Sequence, residues 1–161
     1  MIQELLPYAE RIAAKLKARG ETIGIAESST AGLISAALLA IPGASAYFLG
    51  GAVVYTRQSR SELLAVTEQE LTGITPSTEA YALLFARKIR GKLATTWSVG
   101  ETGTAGPTGS HYGHAAGHSC IAVIGPNRER SITVETGNSD RLDNMRAFSI
   151  AALDLLEKGL G

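Results

Sequence analysis

Ten residues near the start of the chain decide the fold: Ile23-Gly24-Ile25-Ala26-Glu27-Ser28-Ser29-Thr30-Ala31-Gly32. The apolar residues at its start predict a buried strand, and the apolar run 33–41 that follows it predicts a helix. Hydroxyl side chains therefore lie where a strand leads into a helix, and N–H groups at a helix N-terminus lack partners and carry positive partial charge. Residues 28–30 suit a bound anion or an activated serine, or else a simple cap in which a hydroxyl satisfies these N–H groups.

Helical and strand patterns alternate along the rest of the chain. Helices are predicted at 2–19, 30–41, 59–66, 75–91 and 140–158, and strands at 22–27, 50–55, 95–102, 119–124 and 131–136. This order predicts an α/β protein: a three-layer α/β/α sandwich with a mixed, mostly parallel sheet and a C-terminal β-hairpin around Gly125-Pro126-Asn127. We expect a single domain over residues 1–161.

Composition limits the possible partners and the compartment. The 15 basic and 15 acidic residues cancel, so bulk charge gives no support for a nucleic-acid partner. The single cysteine, Cys120, lies in an apolar run and is expected to be a buried, inert thiol, as in a reducing cytoplasm. We expect no signal peptide and no membrane partner. The first helix is amphipathic and could lie on a neighbouring copy, so we expect a homo-oligomer.

A second glycine-rich segment follows the third strand: Gly103-Thr104-Ala105-Gly106-Pro107-Thr108-Gly109. In a parallel sheet it would meet residues 26–32 at the carboxyl edge, where ligands of such sheets bind. Its glycines would let backbone amides approach a phosphate closely. Alternatively, it is a connecting loop whose glycines adopt positive φ.

Basic and aromatic side chains accompany these segments. Tyr55 ends the second strand, and Arg57 and Arg60 come soon after it. These side chains either face the same crevice or are a strand-end tyrosine and a solvated helix start. Arg141 opens the last helix behind the predicted N-cap Asp140, where its charge opposes the helix dipole. It is therefore either the partner of an anion or carboxylate, or a surface arginine.

Three histidines lie close together: His111, His114 and His118. They could bind zinc or supply a base near pH 7. The loop that carries them has no Asp, Glu or Cys to complete a metal site, so we expect no metal and favour a flexible loop.

Together, residues 26–32, 42–55 and 103–107 resemble the CinA C-terminal domain family, to which the nicotinamide mononucleotide deamidases belong. The most specific block, at a fixed distance from the serine motif, is Pro42-Gly43-Ala44-Ser45-Ala46-Tyr47-Phe48-Leu49-Gly50-Gly51. The resemblance covers essentially the whole chain and implies an α/β/α domain that needs no metal or cofactor. It also implies hydrolysis of the carboxamide of nicotinamide mononucleotide to nicotinate mononucleotide and ammonia.

The resemblance assigns roles to individual residues. Ser28 matches the nucleophile and Tyr55 the tyrosine that assists it, with Arg60 in the third catalytic position. The small-molecule pyridine nucleotide would be bordered by Ser29, Thr30, Gly32, Gly103, Thr104, Ala105, Gly106 and Arg141.

This chain departs from the family pattern in three places. Active members carry a lysine, the base for the serine, where this chain has Arg60, and arginine stays protonated. Ala31 replaces a glycine, and the loop after Pro107 carries His111 and His114 where the family carries a lysine. Loss of a general base costs about 10²–10⁴ in rate. Two hypotheses follow: another base such as His114 serves the amidase, or the chain is a weakened or inactive nucleotide binder.

Overall fold

The computed structural model describes residues 1–161, which form five strands, five α-helices and the short 3₁₀-helix Ala44–Ala46. The helices are α1 (Ile2–Arg19), α2 (Leu33–Leu39), α3 (Arg57–Leu64), α4 (Glu79–Leu93) and α5 (Arg141–Leu160). The strands are β1 (Ile23–Glu27), β2 (Phe48–Val53), β3 (Trp97–Thr104), β4 (His118–Gly125) and β5 (Arg128–Glu135). Gly20 ends α1 in the left-handed conformation and Asp140 caps α5, as the sequence predicts.

The five strands form one sheet in the order β2-β1-β3-β4-β5. Strand β1 is parallel to both β2 and β3, whereas β4 is antiparallel to β3 and to β5. Four strands therefore run in one direction and β4 in the other. The predicted mixed sheet with a C-terminal hairpin is confirmed.

Helices cover both faces of the sheet because side chains alternate along β1. Ile23 and Ile25 join a large core with α1, α2 and α5, and Ala26 packs on the opposite face with residues of α4. The predicted three-layer sandwich is confirmed. Cys120 is buried on the α4 face, as expected.

The apolar face of α1 is used inside the molecule. Leu5, Ile12 and Leu16 are fully buried in the core that α1 shares with α2 and α5. The prediction that this helix face lies on a neighbouring copy is therefore wrong, and the homo-oligomer remains a prediction. None of the helices combines the length and apolar character that crossing a membrane requires.

Several boundaries differ from the sequence prediction near the carboxyl edge of the sheet. Helix α2 begins at Leu33, because Ala31 and Gly32 have φ of 54° and 95° and interrupt the helical path. Strand β2 begins at Phe48 and ends at Val53, two residues earlier at each end than predicted, so Tyr55 lies beyond the strand and not at its end. Strand β3 extends to Thr104, two residues further than predicted.

Candidate active site

A buried carboxylate caps the N-terminus of α2. Glu27, at the end of β1, is 0% exposed and accepts hydrogen bonds from the N–H groups of Gly32 at 2.8 Å and Ser35 at 3.0 Å. It also accepts from the hydroxyls of Thr30 at 2.7 Å and Ser35 at 2.8 Å. The N–H groups at the start of α2 are therefore satisfied by a carboxylate of the protein and not by a hydroxyl of residues 28–30. The predicted hydroxyl cap is wrong, and so is a free anion site at this helix, because Glu27 supplies the anion.

A second buried carboxylate, Glu101 in β3, holds the residues between β1 and α2. One of its oxygens accepts from the N–H groups of Ser28 at 3.0 Å and Thr30 at 3.1 Å. The other accepts from the hydroxyls of Ser29 and Ser119. Burial raises the pKa of the Glu101 carboxyl above its ordinary value, and these hydrogen bonds act in the opposite direction.

Ser28 differs from its two neighbours because its hydroxyl has no hydrogen-bond partner in the protein. The Ser29 hydroxyl donates to Glu101 and the Thr30 hydroxyl donates to Glu27. Ser28 donates to Glu101 only through its backbone N–H. Ser28 lines a cleft of about 310 Å³, here called the first cleft. Its other lining side chains include Tyr55, Arg57, Arg60, Tyr81, His111 and Tyr112.

Arg60 and Tyr81 form a buried pair in the first cleft. Arg60 is 7% exposed, and its guanidinium donates to the Tyr81 hydroxyl at 3.0 Å and to Glu68 at 3.4 Å. Burial opposes its charge, but these contacts outweigh burial and raise the pKa of Arg60. Burial also raises the pKa of Tyr81. Both groups therefore keep their protons at neutral pH, and neither can accept one from Ser28.

A second cleft of about 230 Å³ adjoins the first. It is lined by the predicted residues Ser29, Gly103, Thr104, Ala105, Gly106 and Arg141, and by Tyr55, which also lines the first cleft. Arg141 donates to the Gly106 carbonyl at 2.6 Å and to the Tyr55 hydroxyl at 3.2 Å. The guanidinium has five N–H donors, so others remain for a ligand in the second cleft.

Gly103 is a glycine because the backbone of β3 passes directly over the carboxylate network. A Cβ atom at this position would lie 2.6 Å from the Ser29 hydroxyl and 2.7 Å from the His118 carbonyl oxygen. The close approach covers the Ser29 hydroxyl and leaves Ser28 as the accessible serine of the turn.

The three histidines occupy different environments. His111 lines the first cleft. His114 lines neither cleft and stacks on His118 at 4.0 Å between ring centroids; burial and the neighbouring His118 lower its pKa. His118 lies in β4, where it bonds to Glu135 and, at 2.8 Å, to the Ser77 carbonyl. His111, and not His114, therefore shares the first cleft with Ser28.

The structure brings most of the predicted site residues together. Ser28, Tyr55 and Arg60 line the first cleft, and Ser29, Arg141 and the segment 103–106 line the second. Thr30 and Gly32 line neither, because they hold Glu27, so the geometry gives no support to their predicted contact with substrate. No group of three His, Cys, Asp or Glu side chains is arranged to hold a metal ion.

Sequence reasoning missed Glu27, Glu101 and Tyr81. A glutamate within a strand predicted to be buried is itself a signal, because a buried carboxylate needs several hydrogen-bond donors. Tyr81 gave no such signal, since its contact with Arg60 joins positions 21 residues apart.

Comparison with known proteins decides the family. Residues 6–160 match the family model described as the CinA C-terminal domain. The chain belongs to the CinA C-terminal domain family. It is 36% identical over 151 residues to a CinA-like protein of Gloeobacter violaceus, covering 93% of this chain and 35% of that protein. It is 34% identical over 152 residues to a CinA-like protein of Anaeromyxobacter sp., covering 94% and 37%.

Solved structures of competence/damage-inducible proteins share this fold over nearly the whole chain. A competence or damage-inducible protein from Enterobacter asburiae has a TM-score of 0.91 at 27% identity, covering 98% of both chains. The competence/damage inducible protein CihA from Agrobacterium tumefaciens has a TM-score of 0.89 at 29% identity, covering 97% of this chain and 94% of that one. This CinA-type chain spans about a third of the length of the curated relatives that it matches.

Proposed function

We propose that this chain hydrolyses the carboxamide of nicotinamide mononucleotide to nicotinate mononucleotide and ammonia, with Ser28 as the nucleophile. The observation that carries the proposal is the free Ser28 hydroxyl in the first cleft, beside two neighbours whose hydroxyls are engaged. A serine that shares a cleft with the hydrogen-bond donors Arg60 and Tyr81 suits acyl transfer. The resemblance to the nicotinamide mononucleotide deamidases supports this choice of substrate.

The two adjoining clefts suit the two ends of such a mononucleotide. The first cleft offers aromatic rings and Ser28 to the pyridine and its carboxamide. The second offers the Arg141 guanidinium and the hydroxyls of Thr104, Thr108 and Ser110 to the phosphate. Tyr55 lies at the junction and is fixed there by Arg141.

The cleft residues supply each step of the reaction. The Ser28 oxygen attacks the carboxamide carbon while its proton passes to His111, the imidazole of the first cleft. The Tyr81 hydroxyl accepts from Arg60, so its own proton is free to stabilise the oxyanion. That intermediate expels ammonia, which takes the proton from His111. Water then hydrolyses the ester on Ser28 to release the carboxylic acid.

One observation favours a second candidate, namely nucleotide binding without turnover. Arg60 stands where the family has a lysine, and its pKa is raised, so it cannot deprotonate Ser28. In this case the clefts bind the mononucleotide and Ser28 keeps its proton.

Ammonia release and calorimetric binding with nicotinamide mononucleotide separate these candidates. The amidase requires release by the wild type, its loss in Ser28→Ala and a strong decrease in His111→Ala. His114→Ala is the matched control, since it removes an imidazole of the same loop that lines neither cleft. Binding without ammonia, together with a gain of release in Arg60→Lys, would instead establish the second candidate. A wild type that neither binds nor hydrolyses the mononucleotide contradicts both.

A further inference from the structure

Glu101 reaches three segments of the chain from the interior of the sheet. It lies in the middle of β3, between β1 and β4, and its side chain is 0% exposed. Its carboxylate contacts the turn 28–30 after β1 and Ser119 of β4. A carboxylate in this position fixes the end of one strand relative to its neighbours.

The contacts with the turn have the geometry of a filled anion site. The N–H groups of Ser28 and Thr30 converge on one Glu101 oxygen, at 3.0 and 3.1 Å. Alternate N–H groups that converge on one point form the concave sites that bind phosphates and oxyanions. Here Glu101 takes that point, so an external anion is excluded from it.

No cation compensates the Glu101 carboxylate. It forms no salt bridge in the protein, and its partners are two backbone N–H groups and three hydroxyls, including that of Thr30 at 3.2 Å. A buried carboxyl without a cation is retained at the expense of stability. All but one of its hydrogen bonds come from the turn that carries Ser28, which points to a role in holding that turn.

We propose that Glu101 is the positioning residue of Ser28, an inference that rests on the proposed role of Ser28 as nucleophile. Glu101 holds the N–H of Ser28 and immobilises the two following residues, while the Ser28 hydroxyl stays free for the first cleft. The role depends on the reach of the carboxyl oxygens and not on their charge. Glu101 itself lines neither cleft and does not contact substrate.

Three variants separate reach from charge. Glu101→Gln keeps the shape and an oxygen for the two N–H groups. Glu101→Asp keeps the charge but is one methylene shorter, so it cannot reach both N–H groups. Glu101→Leu removes all acceptors. Ser98→Ala is the matched control, because Ser98 is a buried residue of the same strand whose hydroxyl donates to the Ala86 carbonyl at 2.8 Å and not to the turn.

Two measurements report the positioning of Ser28 without requiring amidase activity. The first is NMR hydrogen exchange of the Ser28 and Thr30 amides. The second is modification of Ser28 by phenylmethanesulfonyl fluoride, quantified by intact mass and assigned by peptide mapping. Ammonia release adds a third, in which a loss of positioning lowers kcat and leaves KM nearly unchanged.

Glu101→Gln is expected to match the wild type within about threefold in all three measurements, and Ser98→Ala to behave likewise. Glu101→Asp and Glu101→Leu are expected to accelerate exchange of both amides and to slow modification of Ser28, each by about 10–100-fold.

If Glu101→Leu does not fold, Glu101→Asp decides. Wild-type protection and modification in Glu101→Asp would overturn the inference, as would loss of modification in Glu101→Gln with both amides still protected. A wild type that releases no ammonia contradicts the amidase alone, because amide exchange still tests the positioning.

Discussion

The Arg60 guanidinium donates to the Tyr81 hydroxyl at 3.0 Å inside the cleft that Ser28 lines. The phenol accepts this hydrogen bond with a lone pair, so its proton is free to point elsewhere. Arginine stays charged at every pH that a folded protein tolerates, and a charged donor polarises the phenol more strongly than a neutral one. In the proposed amidase, Arg60 thus serves as a hydrogen-bond donor that polarises Tyr81 and not as a base.

The first prediction tests this pair. Tyr81→Phe is expected to lower kcat for ammonia release by about 10²–10³-fold, as removal of an oxyanion donor does. Arg60→Met is expected to have a similar effect, and the double variant to be little worse than either, because the two residues act as one donor.

Arg57→Met is the control for that series. Arg57 lines the same cleft and donates to Glu68 at 3.4 Å, but it does not contact Tyr81. Its replacement is expected to leave kcat within about threefold, since exposed ion pairs contribute little. Additive effects of Tyr81→Phe and Arg60→Met would show that they act independently.

The second prediction concerns the pH dependence of stability. Burial raises the pKa of Glu101 in the folded protein, so the folded state binds more protons than the unfolded state above the ordinary value of 4.5. Its contribution to the free energy of unfolding is therefore most favourable below about pH 4.5 and declines as the pH rises through the raised pKa.

Urea denaturation of the wild type and of Glu101→Gln between pH 5 and 8 measures this contribution. The stability of the wild type relative to the variant is expected to decrease with rising pH, because the amide does not ionise. A difference that is independent of pH would mean that Glu101 titrates alike in both states.

The third prediction concerns Gly103. Gly103→Ala places a Cβ atom 2.6 Å from the Ser29 hydroxyl and 2.7 Å from a backbone oxygen that cannot move freely. We expect a loss of about 1–3 kcal/mol in the free energy of unfolding and slower modification of Ser28.

Gly91→Ala provides the opposite case. Gly91 lies within α4 and a Cβ atom there would meet nothing within 4 Å. Alanine in a helix interior is favoured over glycine by about 0.5–1 kcal/mol, so this variant should be more stable than the wild type. Equal stabilities of the two variants would show that the backbone at Gly103 can relax.

The layer order could be predicted from the sequence because it depends on local patterns. The apolar residues Ile23 and Ile25, the helix stop at Gly20 and the cap at Asp140 all act over a few residues. Element boundaries were less predictable where the backbone adopts unusual conformations. An alanine at position 31 does not predict the observed φ of 54°, and because of this φ helix α2 begins at Leu33 and not at residue 30.

The position of the candidate site could be predicted from the sequence, but its hydrogen bonds could not. The predicted strand order brings Ser28, Tyr55 and the segment 103–106 to the same edge of the sheet. What fills the turn after β1 depends on Glu101, a residue 73 positions from Ser28. The local sequence therefore predicts N–H groups without partners in this turn. Only the tertiary structure shows that the Glu101 carboxylate accepts hydrogen bonds from them.

The last prediction concerns recognition of the phosphate by Arg141. This guanidinium lines the second cleft and is oriented by the Gly106 carbonyl at 2.6 Å and the Tyr55 hydroxyl at 3.2 Å. If it binds the phosphate, the wild type should bind nicotinamide mononucleotide about 10–100-fold more tightly than nicotinamide riboside, which lacks the phosphate. Arg141→Met should abolish most of that preference, and Tyr55→Phe should reduce it only slightly.

Calorimetric titration of both ligands measures the preference, with Arg146→Met as the control. Arg146 lies on the same helix but pairs with Glu4 at 2.7 Å and lines neither cleft. Its replacement removes the same net charge from the protein and should leave the preference unchanged. A full preference for the mononucleotide in Arg141→Met would place the phosphate elsewhere, because a guanidinium that does not touch the ligand cannot distinguish the two compounds at close range.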